Sequence, residues 1–494
     1  MQISPHKITI AFFLNEKSVE IAVLPCFSAL ELLRDTFALN GTKESCSEGD
    51  CGACTIALGT VEDGEMKYRA VNSCILPAVR LHGKHIITIE GLAEKNRLHL
   101  IQQAMLDHHA VQCGYCSPGI VMSLFCLFAN GEHQSEADIL GALEGNLCRC
   151  TGYDSIFNAA KSIRSHLKKS DAGAVAEMVP PFIPDIRKKL TKLSTDVKYV
   201  ETTQANNSKP AAYFLPKTIA EFFDLTRKLN DSGTCRIING GTDVMVETNL
   251  QRTYPDVIVD ISSISELNFI RQHKNVISIG AGVNFTQLLE NPMIQRQIPI
   301  LTKAITLIGS KQIRNVATLV GNVANASPIA DGAVALLGMN SQLMILSDKG
   351  ERKIKLQDLY KDYKKTSLRT REIISAVEVP IPSGFVSFEK SSKRVAVDIA
   401  SVNSCCYITS DNGKVKDFRL AFGGIDVHPV LSRKCPEYLI GRKLNDETIS
   451  QCVKITADEF QPISDIRGSA HFRRILIRNQ VIKHMHKYFD AIKT

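Results

Sequence analysis

Eight of the ten cysteines in the first 150 residues fall into two sets of four: Cys46, Cys51, Cys54 and Cys74, then Cys113, Cys116, Cys148 and Cys150. The first set has the C-x4-C-x2-C…C spacing that wraps a plant-type 2Fe-2S cluster, whose chemistry is one-electron transfer. Gly49, Gly52 and Ala53 keep side chains out of this loop, so backbone N–H groups can approach the sulfurs. Four thiolates also suit structural zinc, although an x4 then x2 spacing is unusual for a zinc ribbon. The second set is two pairs, Cys113-x2-Cys116 and Cys148-x-Cys150. The first pair precedes a Ser117-Pro118 helix start, where amide dipoles favour negative charge, and the second follows another helix. Two such pairs can enclose a second 2Fe-2S cluster in a helical bundle. Their spacing is less specific than that of the first set, and zinc competes for it.

Two further segments have the composition of a dinucleotide site. Cys235-Arg-Ile-Ile-Asn-Gly-Gly-Thr-Asp243 reads as a strand, a tight glycine turn and a further run. Such a turn can offer successive N–H groups to a pyrophosphate, because glycine lets the backbone come close. It is not the G-x-G-x-x-G fingerprint, and alone it reads as an ordinary turn between strand and helix. In Ala317-Thr-Leu-Val-Gly-Asn-Val-Ala-Asn-Ala-Ser-Pro-Ile-Ala-Asp331, small residues, amides and one carboxylate suit ribose and phosphates. A basic cluster, Phe388-Glu-Lys-Ser-Ser-Lys-Arg394, is otherwise a solvated surface. The seven remaining cysteines, Cys405 and Cys406 among them, follow no ligand spacing and read as buried apolar thiols. His82 and His428 have no partner pattern and read as structural. No residue is assigned as a general acid or base.

The elements that must position these groups follow from periodicity. Ile8, Ile10 and Phe12 alternate with polar or small residues, as do Val19, Ile21 and Val23 after the turn Asn15-Glu16-Lys17, which predicts a hairpin. Ser28-Ala-Leu-Glu31 is a capping box that opens a helix closed by Asn40-Gly41, the start of a β-grasp fold. A strand pair is expected around Thr55 to Leu58 and Lys67 to Val71. From Leu98 the pattern is helical, with helices opened by Ser117-Pro118 and by Ser135-Glu-Ala-Asp138. Ser165 to Pro210 is lysine-rich with Pro180, Pro181 and Pro184, which suits a linker holding one short helix near Arg187. Pro216 to Glu221 opens an amphipathic helix. Val415 to Phe422 alternates as a strand, and helices follow Ser464 to Ser469. Arg467 and Arg473 read as structural. At 494 residues the chain is too long for one core. The fold class expected is multidomain α+β: a β-grasp 2Fe-2S domain over 1–92, a helical-bundle 2Fe-2S domain over 93–168, a linker over 169–209, an α+β domain over 210–382 and a C-terminal α+β lobe over 383–494.

The net charge of +8 is spread along the chain with acidic residues interleaved, a weak case for nucleic acid. Ile120 to Ala129, the longest apolar run, is about half a bilayer span, and the N-terminus lacks a secretory layout, so no membrane role and a cytoplasmic location are expected. A reducing compartment also favours thiolates on iron over disulfides.

Three motifs carry a family resemblance: Glu48-Gly-Asp-Cys-Gly-Ala-Cys54, Gln112-Cys-Gly-Tyr-Cys-Ser-Pro-Gly119 and Gly145-Asn-Leu-Cys-Arg-Cys-Thr-Gly-Tyr153. They resemble the two iron–sulfur domains of the xanthine dehydrogenase family of molybdenum hydroxylases. The Cys235–Asp243 and Ala317–Asp331 segments resemble that family's FAD domain, which implies an α+β FAD-binding domain over 210–382 with its C-terminal lobe over 383–494. The resemblance implies that Gln112 and Cys150 lie against the pterin of a molybdenum cofactor. It also implies that Gly240, Gly241, Thr242 and Asp243 contact the FAD pyrophosphate. Thr318, Gly321, Asn322, Ser327 and Asp331 would contact the rest of FAD, with Lys390 near the flavin or its phosphates. Ser45, Ser47 and Asp50 stand where many relatives carry glycine, Val320 replaces a common glycine, Ile308 replaces an aromatic ring in some, and Val395-Ala-Val397 replaces a more acidic stretch. The function implied is an electron-transfer subunit. A molybdopterin-binding large subunit would oxidise hypoxanthine or xanthine to urate, sending electrons through the helical-domain cluster, the β-grasp cluster and FAD to NAD. Ending at Thr494, the chain is expected to leave substrate oxidation to that partner, in a heterotetramer of two small and two large subunits. Alternatives are the equivalent subunit of an aldehyde, nicotinate or carbon monoxide hydroxylase, a zinc-bound docking scaffold, and a self-sufficient NADH diaphorase.

Overall fold

The computed structural model describes residues 6–94, 97–131, 135–169, 178–194, 196–201, 212–229, 235–251 and 254–493. The chain forms two compact units that interleave in sequence. The first takes 1–215, 229–260 and 309–316, and the second takes 216–228, 261–308 and 317–494. These units cut across the expected boundaries, because 229–260 and 309–316, from the expected flavin stretch, pack with the iron–sulfur modules.

The first unit begins with the hairpin β1 (His6–Leu14) and β2 (Lys17–Val23), whose alternating Ile8, Ile10 and Phe12 are fully buried. β3 (Thr55–Glu62), β4 (Glu65–Asn72) and β5 (His85–Ile87) complete a sheet of order β2-β1-β5-β3-β4. The β1–β5 pair is parallel, as a β-grasp requires. Ser28 caps the helix as expected: its hydroxyl accepts from the Glu31 N–H, and the Glu31 carboxylate accepts from the Ser28 N–H. The helix is shorter than expected, one α turn (Ala29–Glu31) passing into a π turn (Leu32–Thr36). Leu32 and Leu33 thereby reach the sheet core of Ile8, Ile10, Phe12, Ile56 and Ile86.

The helical module packs Leu100–Asp107, Ser117–Ala129, Glu136–Leu143 and Asp154–Lys169 around one core. Gly119 to Phe128 is buried on every side, which marks Ser117–Ala129 as the central helix. Its cap position falls on Cys116 rather than Ser117, while Ser135 caps the next helix as expected. The expected linker is more structured than its composition suggests. Asp154–Lys169 runs past Ser165, Ile183–Leu190 forms the short helix, and β6 (Lys198–Glu201) pairs antiparallel with β1. Linker residues 170–177 and 202–210 lie outside the described residues.

Within the same unit, β7 (Ala212–Phe214), β8 (Cys235–Ile238) and β9 (Val257–Asp260) form a parallel sheet of order β7-β9-β8. The helix Thr242–Gln251 is the crossover from β8 to β9, a βαβ unit that places the glycine turn at a strand's carboxyl end.

The second unit holds an antiparallel five-stranded sheet, ordered Ile270–His273, Val276–Gly280, Ile373–Pro380, Gln342–Ser347, Gly350–Lys355. A four-stranded sheet follows, with Phe385–Ser391, Val402–Asp411, Lys414–Gly423 and Val430–Leu431. The helices Asp446–Glu459 and Ala470–Lys493 pack on it. Arg473, 2% exposed, donates to the Ser401 and Gly424 carbonyls and pairs with Asp465, a structural role as expected. The reading of the leftover cysteines as free thiols needs correcting at two positions, because Cys435 and Cys452 form a disulfide. Cys235 is exposed rather than buried, whereas Cys26, Cys126, Cys405 and Cys406 are buried and free. Among the described residues no helix is long and apolar enough to cross a membrane.

Candidate metal and flavin sites

The eight cysteines of the two sets, all in the first unit, are arranged two by two. The Cys54 and Cys74 sulfurs are 3.3 Å apart, and those of Cys113 and Cys150 are 3.5 Å apart. Cys46 pairs with Cys51, and Cys116 with Cys148. In every pair one thiol is easier to ionise and the other harder. The hydrogen bond from Cys46 holds Cys51 down to about 6, while the same bond pushes Cys46 up. The bond within the buried pair lowers Cys54 and raises Cys74. The Tyr115 N–H, then Cys150, lower Cys113, and Cys150 rises through its bond to Cys113. Burial pushes Cys116 up to about 12. Burial acts in the same direction on Cys148, but donors led by the Thr151 hydroxyl, 3.1 Å away, bring it below the ordinary thiol value.

Metal–sulfur bonds of about 2.3 Å in tetrahedral geometry put two thiolates on one metal about 3.7 Å apart. The observed pairs are close to that. A 2Fe-2S cluster needs two thiolates on each iron, whereas one zinc ion would gather all four thiols of a set around one point. Among the described residues no three His, Cys, Asp or Glu side chains are gathered in that way. The donor set around the sulfurs also suits a cluster. The Glu48 and Cys51 N–H groups point at Cys46, the Ala53 N–H at Cys51 and the Gly49 N–H at Cys74. Gly49 and Gly52 have φ of +84° and +69°, conformations that glycine adopts without strain.

The two loops touch each other. The Leu147 N–H, next to Cys148, donates to the Cys51 carbonyl at 2.9 Å. The Asn146 amide donates to the Gly52 carbonyl at 3.0 Å, and its oxygen accepts from Ser123 at 2.7 Å and from Gln312 at 2.9 Å. Arg314 pairs with Glu144 in the same junction. A side chain on Gly52 would run into the Gly145 carbonyl, so the close approach depends on glycine. The first pair site is enclosed, with Cys54 and Cys74 buried, and the second is open, with Cys113, Cys150 and Gln112 exposed. Tyr115 (47%), Leu147 (41%) and Tyr153 (41%) are exposed on the same loops.

Of the residues expected at the flavin, Gly240, Gly241, Thr242 and Asp243 lie in the first unit. Gly241 has φ +72°, and Thr242 starts a ten-residue helix whose first-turn N–H groups have no partner within the helix. That geometry is suited to a phosphate. The helix runs back to the first thiol set: Asn249 donates to the Ser47 and Cys74 carbonyls at 2.8 and 2.9 Å, and Met245 packs with Cys54, Cys74 and Ile75.

In the second unit, Thr318 caps the helix Leu319–Ala324 by accepting from the Gly321 N–H at 3.0 Å. Asn322 accepts from the Ala333 N–H, and half-buried Ser327 lies in the turn leading to Asp331. Lys390, expected either at FAD or on a solvated surface, is 4% exposed. It donates to Asp331 at 2.8 Å and to the Leu307 carbonyl at 2.7 Å. Asn403 donates to the other Asp331 oxygen. Burial raises the Asp331 carboxyl, and Lys390 opposes that shift. Thr318, Gly321, Asn322, Asp331 and Lys390 thus belong to linked hydrogen-bonded pairs around two helix starts. Asn146, Gln312, Arg314, Asn249 and Asn403 were not singled out by sequence, although Asn146 lies within one of the three cysteine motifs.

The matching family models are the 2Fe-2S binding domain at residues 88–161, the FAD binding domain in molybdopterin dehydrogenase at 206–382, and the CO dehydrogenase flavoprotein C-terminal domain at 387–488. A xanthine dehydrogenase of Emericella nidulans is 31% identical over 485 residues, covering 89% of this chain and 35% of the relative. That of Dictyostelium discoideum is 29% identical over 540 residues (94% and 39%), and aldehyde oxidase 1 of Bos taurus 28% over 523 (96% and 39%). The chain therefore spans little more than a third of the length of these curated relatives. Among solved structures, quinoline 2-oxidoreductase from Pseudomonas putida 86 has a TM-score of 0.53 at 25% identity, covering 57% of this chain and 97% of that one. Carbon monoxide dehydrogenase of Hydrogenophaga pseudoflava, at 21% identity and a TM-score of 0.54 over 56% of this chain and 97% of its own, shares the fold. Three matched domains in this order, with paired thiols ahead of a flavin-binding fold, make the chain a member of the molybdenum hydroxylase family that carries the family's iron–sulfur and FAD-binding region.

Proposed function

We propose that this chain is the electron-transfer subunit of a xanthine dehydrogenase, working beside a molybdopterin-binding large subunit that oxidises hypoxanthine and xanthine to urate. When bound, two 2Fe-2S clusters would supply one-electron steps, and FAD would collect two electrons and a proton to be passed to NAD as one hydride. The order of travel is from the partner's molybdenum site to the helical-module cluster, then the β-grasp cluster, FAD and NAD. The observation that carries this reading is the direct contact of the two thiol loops through Leu147 and Cys51. This chain's residues would do the following. Cys113, Cys116, Cys148 and Cys150 hold the cluster at the open end, where Gln112 and Cys150 meet the partner's pterin. Tyr115, Leu147 and Tyr153 give the partner an apolar rim, which supports docking there. Cys46, Cys51, Cys54 and Cys74 hold the enclosed cluster beneath the helix that begins at the glycine turn. Gly240 to Asp243 bind the pyrophosphate, and Thr318, Gly321, Asn322, Ser327, Asp331 and Lys390 shape the remainder of the FAD site. A cytoplasmic heterotetramer of two small and two large subunits accords with the resemblance.

A second reading is favoured by the bovine aldehyde oxidase similarity: the same wire serving an aldehyde hydroxylase. Purification of the native complex, followed by iron, sulfide, flavin and molybdenum analysis and by NAD reduction with purines and with aldehydes, tests both. Purine-driven NADH formation is expected. Aldehyde-only turnover would transfer the proposal to the second reading, and a complex free of iron would end both.

A further inference from the structure

The glycine turn that begins the helix Thr242–Gln251 is held by a residue of the β-grasp module. Arg80 comes from the 3-10 turn Ala78–Leu81, which packs on the hairpin sheet. Its Nη1 donates to the Gly240 carbonyl at 3.0 Å, and its Nε lies 3.5 Å from Asp260 Oδ2. Asp260 ends β9 and is fully buried, and the Tyr213 hydroxyl donates to the same oxygen at 2.6 Å. A buried carboxylate holds its cationic partner firmly, because separating the two would leave a charge without compensation. The guanidinium is a planar fork, so fixing its Nε edge on Asp260 aims its Nη1 edge as well.

This has a consequence across one peptide bond. In a planar trans peptide, the carbonyl of one residue and the N–H of the next point in opposite directions. Drawing the Gly240 carbonyl toward Arg80 therefore turns the Gly241 N–H away from Arg80, out of the turn. Between two glycines that peptide plane has little steric reason to prefer either orientation. The far end of the helix is also fixed by the β-grasp module, through the hydrogen bonds of Asn249 to the Ser47 and Cys74 carbonyls.

We propose that Arg80 is a positioning residue for FAD: by anchoring the Gly240 carbonyl against the buried Asp260, it orients the Gly241 N–H toward the pyrophosphate, so that the β-grasp iron–sulfur module builds part of the flavin site. The proposal rests on the reading of Gly240 to Asp243 as the pyrophosphate loop.

The test uses full-length protein with its clusters, measuring the FAD dissociation constant by flavin fluorescence, iron per chain and the unfolding temperature of the flavin-free form. Arg80→Met combined with Asp260→Asn removes both charges together and leaves Tyr213 a partner. This double variant is expected to keep its iron and to melt near the wild type, yet to bind FAD at least about tenfold more weakly, the scale of one charge-assisted hydrogen bond. Arg80→Lys keeps a charge beside Asp260 without the fork and is expected to fall in between, which provides the same test should the double variant fail to accumulate. Gly241→Val separates the two layers of the argument, since a β-branched residue at φ +72° distorts the turn. If Gly241→Val weakens FAD while both Arg80 variants bind it like the wild type, the Arg80 proposal is overturned and the loop assignment stands. If Gly241→Val binds FAD normally, the loop assignment falls and the proposal with it.

Discussion

Replacing Asn146 by alanine should loosen the junction of the two thiol loops. Asn146 is 3% exposed and makes four side-chain bonds, to Gly52, Thr55, Ser123 and Gln312. Their loss is unequal. The Gly52 carbonyl still accepts from the Thr55 N–H and hydroxyl, and Gln312 still donates to Ser123 at 3.1 Å. The Ser123 hydroxyl, 2% exposed, is the donor left without an acceptor. One orphaned buried donor costs about 1–3 kcal/mol, and the further lost bonds bring the sum to about 3 kcal/mol. For a unit of this size that corresponds to a fall in melting temperature of roughly 6–12 °C. The assay is thermal unfolding of the cluster-loaded protein, followed by visible circular dichroism so that only the iron–sulfur region reports. Asn146→Asp should be worse, since it places a carboxylate against the Gly52 carbonyl. A melting temperature within about 2 °C of wild type for the alanine variant would refute the reasoning, by showing that the junction does not depend on this amide.

Gly52→Ala should separate the loops more severely, because the added carbon meets the Asn146 amide at 2.6 Å and the residue has a positive φ; slower reduction of the first cluster by the second, in rapid-mixing spectroscopy, checks it. Cys51→Ser should abolish the first cluster and NAD reduction while FAD stays bound, so retained purine-to-NAD turnover would contradict the route. Glu372 makes two bonds to Arg352, at 2.8 and 2.6 Å, which hold its carboxyl below the usual range. A depressed carboxylate stabilises above its unfolded pKa, about 4.3, and that contribution disappears as pH falls through the folded value. Glu372→Gln should therefore lower the melting temperature at pH 7 by a gap that narrows as pH falls below about 4.3; a pH-independent gap would count against the ion pair as its cause.

Local patterns were legible where one element sufficed. The alternation of Ile8, Ile10 and Phe12 marks β1, and Ser28 with Glu31 marks a capping box, because each depends on residues two or three apart. The two cysteine sets were visible in the same way, but not which thiols pair, since that depends on how the loops between them turn. Gln312 is 166 residues from Asn146, and Arg80 is 160 from Gly240, so no window along the chain shows either contact. Strand β6 was hidden for another reason. The lysine-rich composition of its surroundings reads as linker, and only the pairing with β1 makes it a strand. The burial of Lys390 was equally out of reach, because its partner Asp331 lies 59 residues away on another element.

The octapeptide 309–316 bears on how such a protein can be divided in evolution. Gene fission between the iron–sulfur and flavin parts would look harmless by cofactor ligands alone, since all eight cysteines of the two sets lie before residue 209. It would nevertheless strip the thiol junction of Gln312 and Arg314, leaving Glu144 without its cation and taking from the Ser123 hydroxyl and the Asn146 oxygen the Gln312 N–H that both accept from. A lineage that separates the two genes has to refill that gap with substitutions in the helical module, or let the second polypeptide thread the same eight residues back into place.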